Sequence, residues 1–168
     1  VETASHIAAA LKGDIAVVGL FVNHTLDRVC EIAKFVGLDY LQFHGDESAS
    51  ILQGLDAHPD LEHVRVIRAI RLAQENHVQS LAEMDVWTTA GGSGRLAGFI
   101  VDTFQPGQFG GTGLSMDWEW LSKIKLPTSV PIILAGGLEP QNVAEAIATV
   151  RPFGVDVGWH RSLRMSGH

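Results

Sequence analysis

The stretch Leu96–Trp118, LAGFIVDTFQPGQFGGTGLSMDW, carries the reading of the fold. An apolar run, Phe99–Val101, ends on an acid, Asp102. A connection with four glycines between Gly107 and Gly113 follows, and a helix-like pattern opens at Asp117 and Trp118. A strand that delivers a carboxylate to its own tip, with a glycine-rich loop able to close over it, is a common way of placing chemistry in parallel α/β proteins. The same layout recurs at LQFHGDES, Leu41–Ser48, and at ILAGGLEPQNV, Ile133–Val143.

Outward from these segments, short apolar runs alternate with segments of helical period. The candidate strands are Ala16–Val22, Tyr40–Phe43, Val64–Ala69, Gly98–Val101, Ile132–Leu134 and Gly154–Val157. The candidate helices are Thr3–Leu11, Leu26–Val36, Ser48–Leu55, Asn76–Ala82, Asp117–Ile124 and Pro140–Val150. Unbroken alternation of the two predicts an α/β fold with a parallel sheet wound by helices. The strands are apolar almost throughout, as expected when both sheet faces are covered. Thr25 is placed to cap the second helix, Asp46 or Ser48 the third, and Pro140 fits the first turn of the last.

Composition narrows the function classes. The 168 residues suffice for one domain but are short of the roughly 200–250 of a closed (β/α)8 barrel. The 19 acids outnumber the 12 Lys and Arg, giving a net charge of −7, which argues against a nucleic-acid surface. Backbone amides at helix starts can still hold a phosphorylated metabolite. Cys30 is the one cysteine, so no internal disulfide forms, which is compatible with a reducing cytosol. No apolar run reaches the roughly 20 residues of a membrane span, and no signal peptide is visible, so a cytoplasmic location is expected.

The candidate functional residues follow strands: Asn23, His44, Asp102, Gly136 and Asp156. Asp102 reads either as a general acid or base at a strand tip or as a turn residue; the glycines after it, Gly110 and Gly111 among them, favour chemistry because they allow close backbone approach to a ligand. Gly136 and Gly137 stand between a strand and a helix start, which is a phosphate-binding geometry and also an ordinary tight turn. Gln42 and His44 share one strand face, as pocket residues or as a hydrogen-bonded core pair. Asp156 can accept hydrogen bonds from sugar hydroxyls or cap a helix. Cys30 falls in an apolar helix stripe and is read as a core thiol. No His/Cys/Asp/Glu group has metal-ligand spacing, so no metal is expected.

The combination of QxHG (Gln42–Gly45), VDT…GGTG…DW (Val101–Trp118) and AGGLxPxNV (Ala135–Val143) resembles the phosphoribosylanthranilate isomerase family of tryptophan biosynthesis, and the likeness runs from Val1 to Val157. The resemblance implies a TIM barrel, here incomplete, with about six of its eight parallel strands. It implies an isomerase that needs no cofactor and carries out an Amadori rearrangement of N-(5-phosphoribosyl)anthranilate. By position Asp102 is similar to the family's general acid, Gly136 and Gly137 to its phosphate-binding residues, and Asp156 to the acid near the substrate's ribose. Gln42, His44, Gly110 and Gly111 complete the expected substrate site.

Two departures accompany the resemblance. The family's KICG-type cysteine base and its arginine for the anthranilate carboxylate have no counterpart here, which predicts impaired activity. After Val157 the chain reads GWHRSLRMSGH, so residues 1–157 are expected to form a partial barrel domain and 158–168 an aberrant tail outside the fold. One back-translation of Gly158–Ser162, read in another frame, gives Ser-Gly-Gly-Ile-Glu, which makes the tail a candidate frame-shift product. The expected partner is a small phosphoribosyl substrate, with no nucleic acid and no membrane; the oligomeric state is not readable, and fusion to or association with other tryptophan-pathway enzymes is compatible with the family. Two alternatives stand beside this reading: another phosphate-binding barrel, similar to indole-glycerol-phosphate synthase, and a non-catalytic fragment that binds sugar phosphates.

Overall fold

Every strand in the computed structural model, which describes residues 1–91, 94–102, 118–127 and 129–157, lies parallel to its neighbours. In chain order the elements are α1 (Glu2–Leu11), β1 (Val18–Phe21), α2 (Leu26–Val36), β2 (Tyr40–Phe43), α3 (Ile51–Asp56), β3 (Arg65–Arg71), α4 (His77–Ala90), β4 (Leu96–Asp102), α5 (Trp118–Lys123), β5 (Ile132–Ala135), α6 (Val143–Val150) and β6 (Gly154–Val155). The strands pair in sequential order, β1 to β6, in one sheet that stays open between β1 and β6 among the described residues. This is the α/β alternation expected from the sequence. The expected tail, 158–168, lies outside the described residues.

Alternation along the strands sorts the side chains into two layers. One face carries Phe21, Leu41, Phe43, Val66, Ile70 and Phe99 against Val29, Cys30 and Ala33 of α2, Leu52 and Leu55 of α3, and Met84 and Trp87 of α4. The same layer continues with Val101 and Leu134 against Trp118 and Leu121 of α5 and Ala146 of α6. The opposite face gathers Ile67, Ala69, Ile100 and Ala135, with Tyr40 and Ile133 packed beside them. It is the concave, barrel-interior side of the sheet, and small residues such as Ala69 and Ala135 leave room on it.

Local chemistry explains where helices start and stop. Thr25 caps α2 as expected, its Oγ1 accepting the Arg28 amide at 3.4 Å, and Gly37 ends it at φ 76°. Two expectations are corrected. The helix after β2 opens at Ile51 behind Ser50 with no side-chain cap, not at Asp46 or Ser48. Pro140 lies ahead of α6, not in it, because the Asn142 side chain organises a turn there: its Oδ1 accepts the Glu139 amide at 2.8 Å. Helix α4 runs to Ala90, eight residues beyond the expected end, since Glu83, Asp85, Thr88 and Thr89 interrupt an apolar stripe that Met84 and Trp87 continue into the core. Among the described residues no helix is long and apolar enough to cross a membrane.

The amino end of the sheet is stitched by Arg95. Its guanidinium donates to Asp56 Oδ1 at 2.8 and 3.0 Å and to the carbonyls of Leu61 and Val64 at 2.7 and 3.0 Å. Removing such a donor leaves buried carbonyls without partners. Arg95→Met is therefore expected to lower the unfolding free energy by about 2–4 kcal/mol in a urea titration; a loss too small to resolve would contradict this role.

Candidate active site

Parallel strands in sequential order bring all their carboxyl ends to one rim. Asp102, the last residue of β4, sits in register with Ala135, the last residue of β5, and Gly136 follows directly. Asp156 comes one residue after β6, and its amide donates to Leu134 O at 2.8 Å, so it extends the ladder to the same level. Alternation places Asp102 on the concave face with Ile100, Asp156 with Gly154, and Gln42 and His44 with Tyr40. The structure thus gathers Asp102, Gly136, Gly137, Asp156, Gln42 and His44 on one side of one sheet. Gly110 and Gly111 lie outside the described residues.

His44 and Asp102 face each other across β3. The imidazole Nε2 stands 3.8 Å from Asp102 Oδ2, and both side chains are about a quarter exposed, 26% and 23%. His44 would fall opposite Ala69 by extension of the β2–β3 register, and that small residue leaves the space between them. Partial exposure leaves this pair open to a ligand on the rim.

The turn after β5 is held open from beneath. Gly136 and Gly137 take φ 87° and 63°, a conformation that L side chains rarely adopt. A Cβ on Gly137 would meet nothing within 4 Å, so backbone faces open space there. Asn142 Nδ2 donates to Gly137 O at 3.0 Å, which ties the turn to the start of α6. The dipole at the start of α6 favours an anion near this turn.

A second group sits behind the rim, on the helix-facing side of the sheet. Glu47 accepts the amides of Asn23 at 2.6 Å and Gly45 at 2.9 Å, and takes Arg68 Nη1 at 3.1 Å. Arg68 also donates to Glu83 at 2.6 and 2.9 Å, and its guanidinium lies 5.1 Å from the centre of the Trp87 ring. Asn23, at φ 55°, accepts the Asp46 amide on Oδ1 at 2.6 Å. Glu47 and Arg68 were not among the residues expected from sequence. The signal for Arg68 was an arginine inside the apolar run RVIRAIR; Glu47 carried none. Arg71, on the concave face beside Asp102 in the β3–β4 register, was also not foreseen.

Cys30 is buried in the helix-facing core, as its stripe position suggested. Burial pushes its thiol up from the ordinary value, with Lys34 opposing and Asp27 adding to the shift.

A parallel α/β fold with acids and a glycine turn on the carboxyl rim defines an enzyme class whose sites lie at the ends of the strands. Residues 1–158 match the family model described as N-(5'-phosphoribosyl)anthranilate (PRA) isomerase, and the chain belongs to that family. It is 42% identical over 157 residues to the N-(5'-phosphoribosyl)anthranilate isomerase of Pseudomonas fluorescens strain Pf0-1, covering 94% of this chain and 68% of the relative. The Acetivibrio thermocellus isomerase is 35% identical, with 93% and 68% covered. Among solved structures, the Thermotoga maritima phosphoribosyl anthranilate isomerase superposes with a TM-score of 0.72 at 29% identity, over 93% of this chain and 68% of that one. A phosphoribosyl anthranilate isomerase in complex with reduced 1-(o-carboxyphenylamino)-1-deoxyribulose 5-phosphate gives 0.64 at 27% identity, over 93% and 66%. The described strands therefore correspond to part of a TIM-barrel wall. Neither the synthase-like barrel nor the non-catalytic fragment gains support from these likenesses.

Two outcomes are expected. Gly137→Ala, forced into the left-handed region, loses about 1–2 kcal/mol of stability in a urea titration; no loss would contradict the turn geometry. Because the folded Cys30 thiol holds its proton more tightly than the unfolded one, stability is full below the unfolded thiol's value. It falls as pH rises from there through the folded value. The decline in alkaline buffer is expected to flatten in Cys30→Ala, measured by melting temperature across pH, and an unchanged decline would contradict the burial effect.

Proposed function

We propose that this chain isomerises N-(5'-phosphoribosyl)anthranilate to 1-(2-carboxyphenylamino)-1-deoxyribulose 5-phosphate in tryptophan biosynthesis, in the cytoplasm and without a cofactor. The observation that supports this most is the register that sets the Asp102 carboxylate beside the Gly136–Gly137 turn, in a chain whose residues 1–158 match the isomerase family.

The roles follow from position. The Gly136–Gly137 turn and the start of α6 receive the phosphate, where backbone amides and the helix dipole favour an anion. That fixes the furanose ring over β4. Asp102 then donates a proton to the ring oxygen, the ring opens, and an imine forms at C1. Loss of the C2 proton gives the enolamine, which becomes the ketone; with no counterpart here of the family's cysteine base, that proton passes to solvent and turnover is expected to be slow. Asp156, one strand further along the rim, accepts hydrogen bonds from the ribose hydroxyls. Gln42 and His44 line the opposite side of Asp102. Gly110 and Gly111 are proposed as loop residues that approach the substrate. Arg71 adds a cation beside Asp102 on the rim, which suits a substrate with a phosphate and a carboxylate.

Asp102→Asn is expected to reduce product formation by the full chain about 10²–10⁴-fold while the reduced product analogue still binds. Chromatographic assay of the product and calorimetric titration of the analogue check the two halves. Unchanged turnover in Asp102→Asn would show that the proton donor is elsewhere.

A further inference from the structure

Glu47 is an acid with no view of the substrate face. Its side chain is 4% exposed and that of its partner Arg68 7%. Both belong to the layer where β3 otherwise presents Val66 and Ile70 to the helices. A buried ion pair there is a poor stabiliser, since desolvation offsets most of its attraction and apolar side chains fill such space as well. The distinguishing feature is what the carboxylate holds. One oxygen accepts the Asn23 amide, in the turn after β1; the other accepts the Gly45 amide, in the turn after β2, and the Arg68 guanidinium. Arg68 reaches the same turn directly, donating to Phe43 O at 3.4 Å.

Asn23 closes the loop between the two turns. Its Oδ1 accepts the Asp46 amide, its Nδ2 donates to Asp46 Oδ2 at 3.3 Å, and a Cβ on Gly45 would collide with it. His44 lies inside this bracket, with its own amide donating to Phe21 O at 2.9 Å. Its backbone is fixed on both sides by groups bound to Glu47, while its imidazole points the other way, 3.8 Å from Asp102.

We propose that Glu47 is a positioning residue: with Arg68 as counter-ion, it locks the turns after β1 and β2 in the arrangement that presents His44 to Asp102. The inference rests on the isomerase reading only for what that pair serves. Ligand geometry depends on such support, and displacement of about 1 Å can cost up to 10²-fold.

The test uses Glu47→Gln in the full chain, with Asn23→Gly as a milder second variant whose positive φ glycine accepts freely. The first readout is the ring nitrogen NMR signal of His44, compared with and without Asp102→Asn. Asp102→Asn is expected to move that signal in the wild-type background, to move it less than half as far with Glu47→Gln, and to an intermediate extent with Asn23→Gly. The second readout is affinity for the reduced product analogue against inorganic phosphate: Glu47→Gln weakens the analogue about tenfold or more and leaves phosphate unchanged. A His44 signal that answers Asp102→Asn equally in every background would overturn the proposal. So would analogue and phosphate affinities that fall together with the melting temperature, the mark of a purely structural acid. Failure of the wild-type chain to bind the analogue counts against the isomerase reading, and the His44 signal still decides the role of Glu47.

Discussion

Sequential parallel pairing is the constraint on which the rest depends. Each strand must return to the amino end before the next begins, so every carboxyl end falls on one rim. Alternation then decides which residue at each end faces the concave side. A shift of one residue in β4 would turn Asp102 toward the helices and Val101 toward the site. What prevents it is the helix-facing layer, where Phe99 and Val101 are fully buried. The core against the helices therefore sets which residues the other face presents.

The acidic chain uses its arginines in two ways. Arg68 and Arg95 are buried and donate from all three guanidinium nitrogens to carboxylates and carbonyls, one behind the carboxyl rim and one at the amino end. Arg95 holds the foot of β4, so it acts on the fold. Arg68 holds the turn after β2, so it acts on the site. This division of the two ends, stability below and function above, is general for parallel barrels.

Much of this was legible in the residues. The bounds of β2 and α2 read directly from Tyr40–Phe43 and Leu26–Val36, because clean apolar stripes and a Thr25 cap mark them. The strand–acid and strand–glycine pairs pointed to Asp102 and to Gly136–Gly137 because those residue types are costly unless a turn or a ligand needs them. The remainder was hidden for physical reasons. The contact between His44 and Asp102 joins β2 to β4 across an intervening strand, and no local pattern encodes it. Glu47 reads as an ordinary helix-approach acid until Arg68, 21 residues later, is folded against it. Pro140 suggested a helix start that Asn142 delays by side-chain bonds to Gly137 and Glu139.

The central claim is that one rim presents a proton donor and a phosphate-binding turn to the same molecule. A crystal structure of the full chain with the reduced product analogue tests it most directly. The account predicts phosphate oxygens about 3 Å from the amides around Gly136 and Gly137, with the ribulose portion lying over β4 against the Asp102 carboxylate. An analogue bound at the amino end of the sheet, or one whose sugar lies away from Asp102, would contradict it.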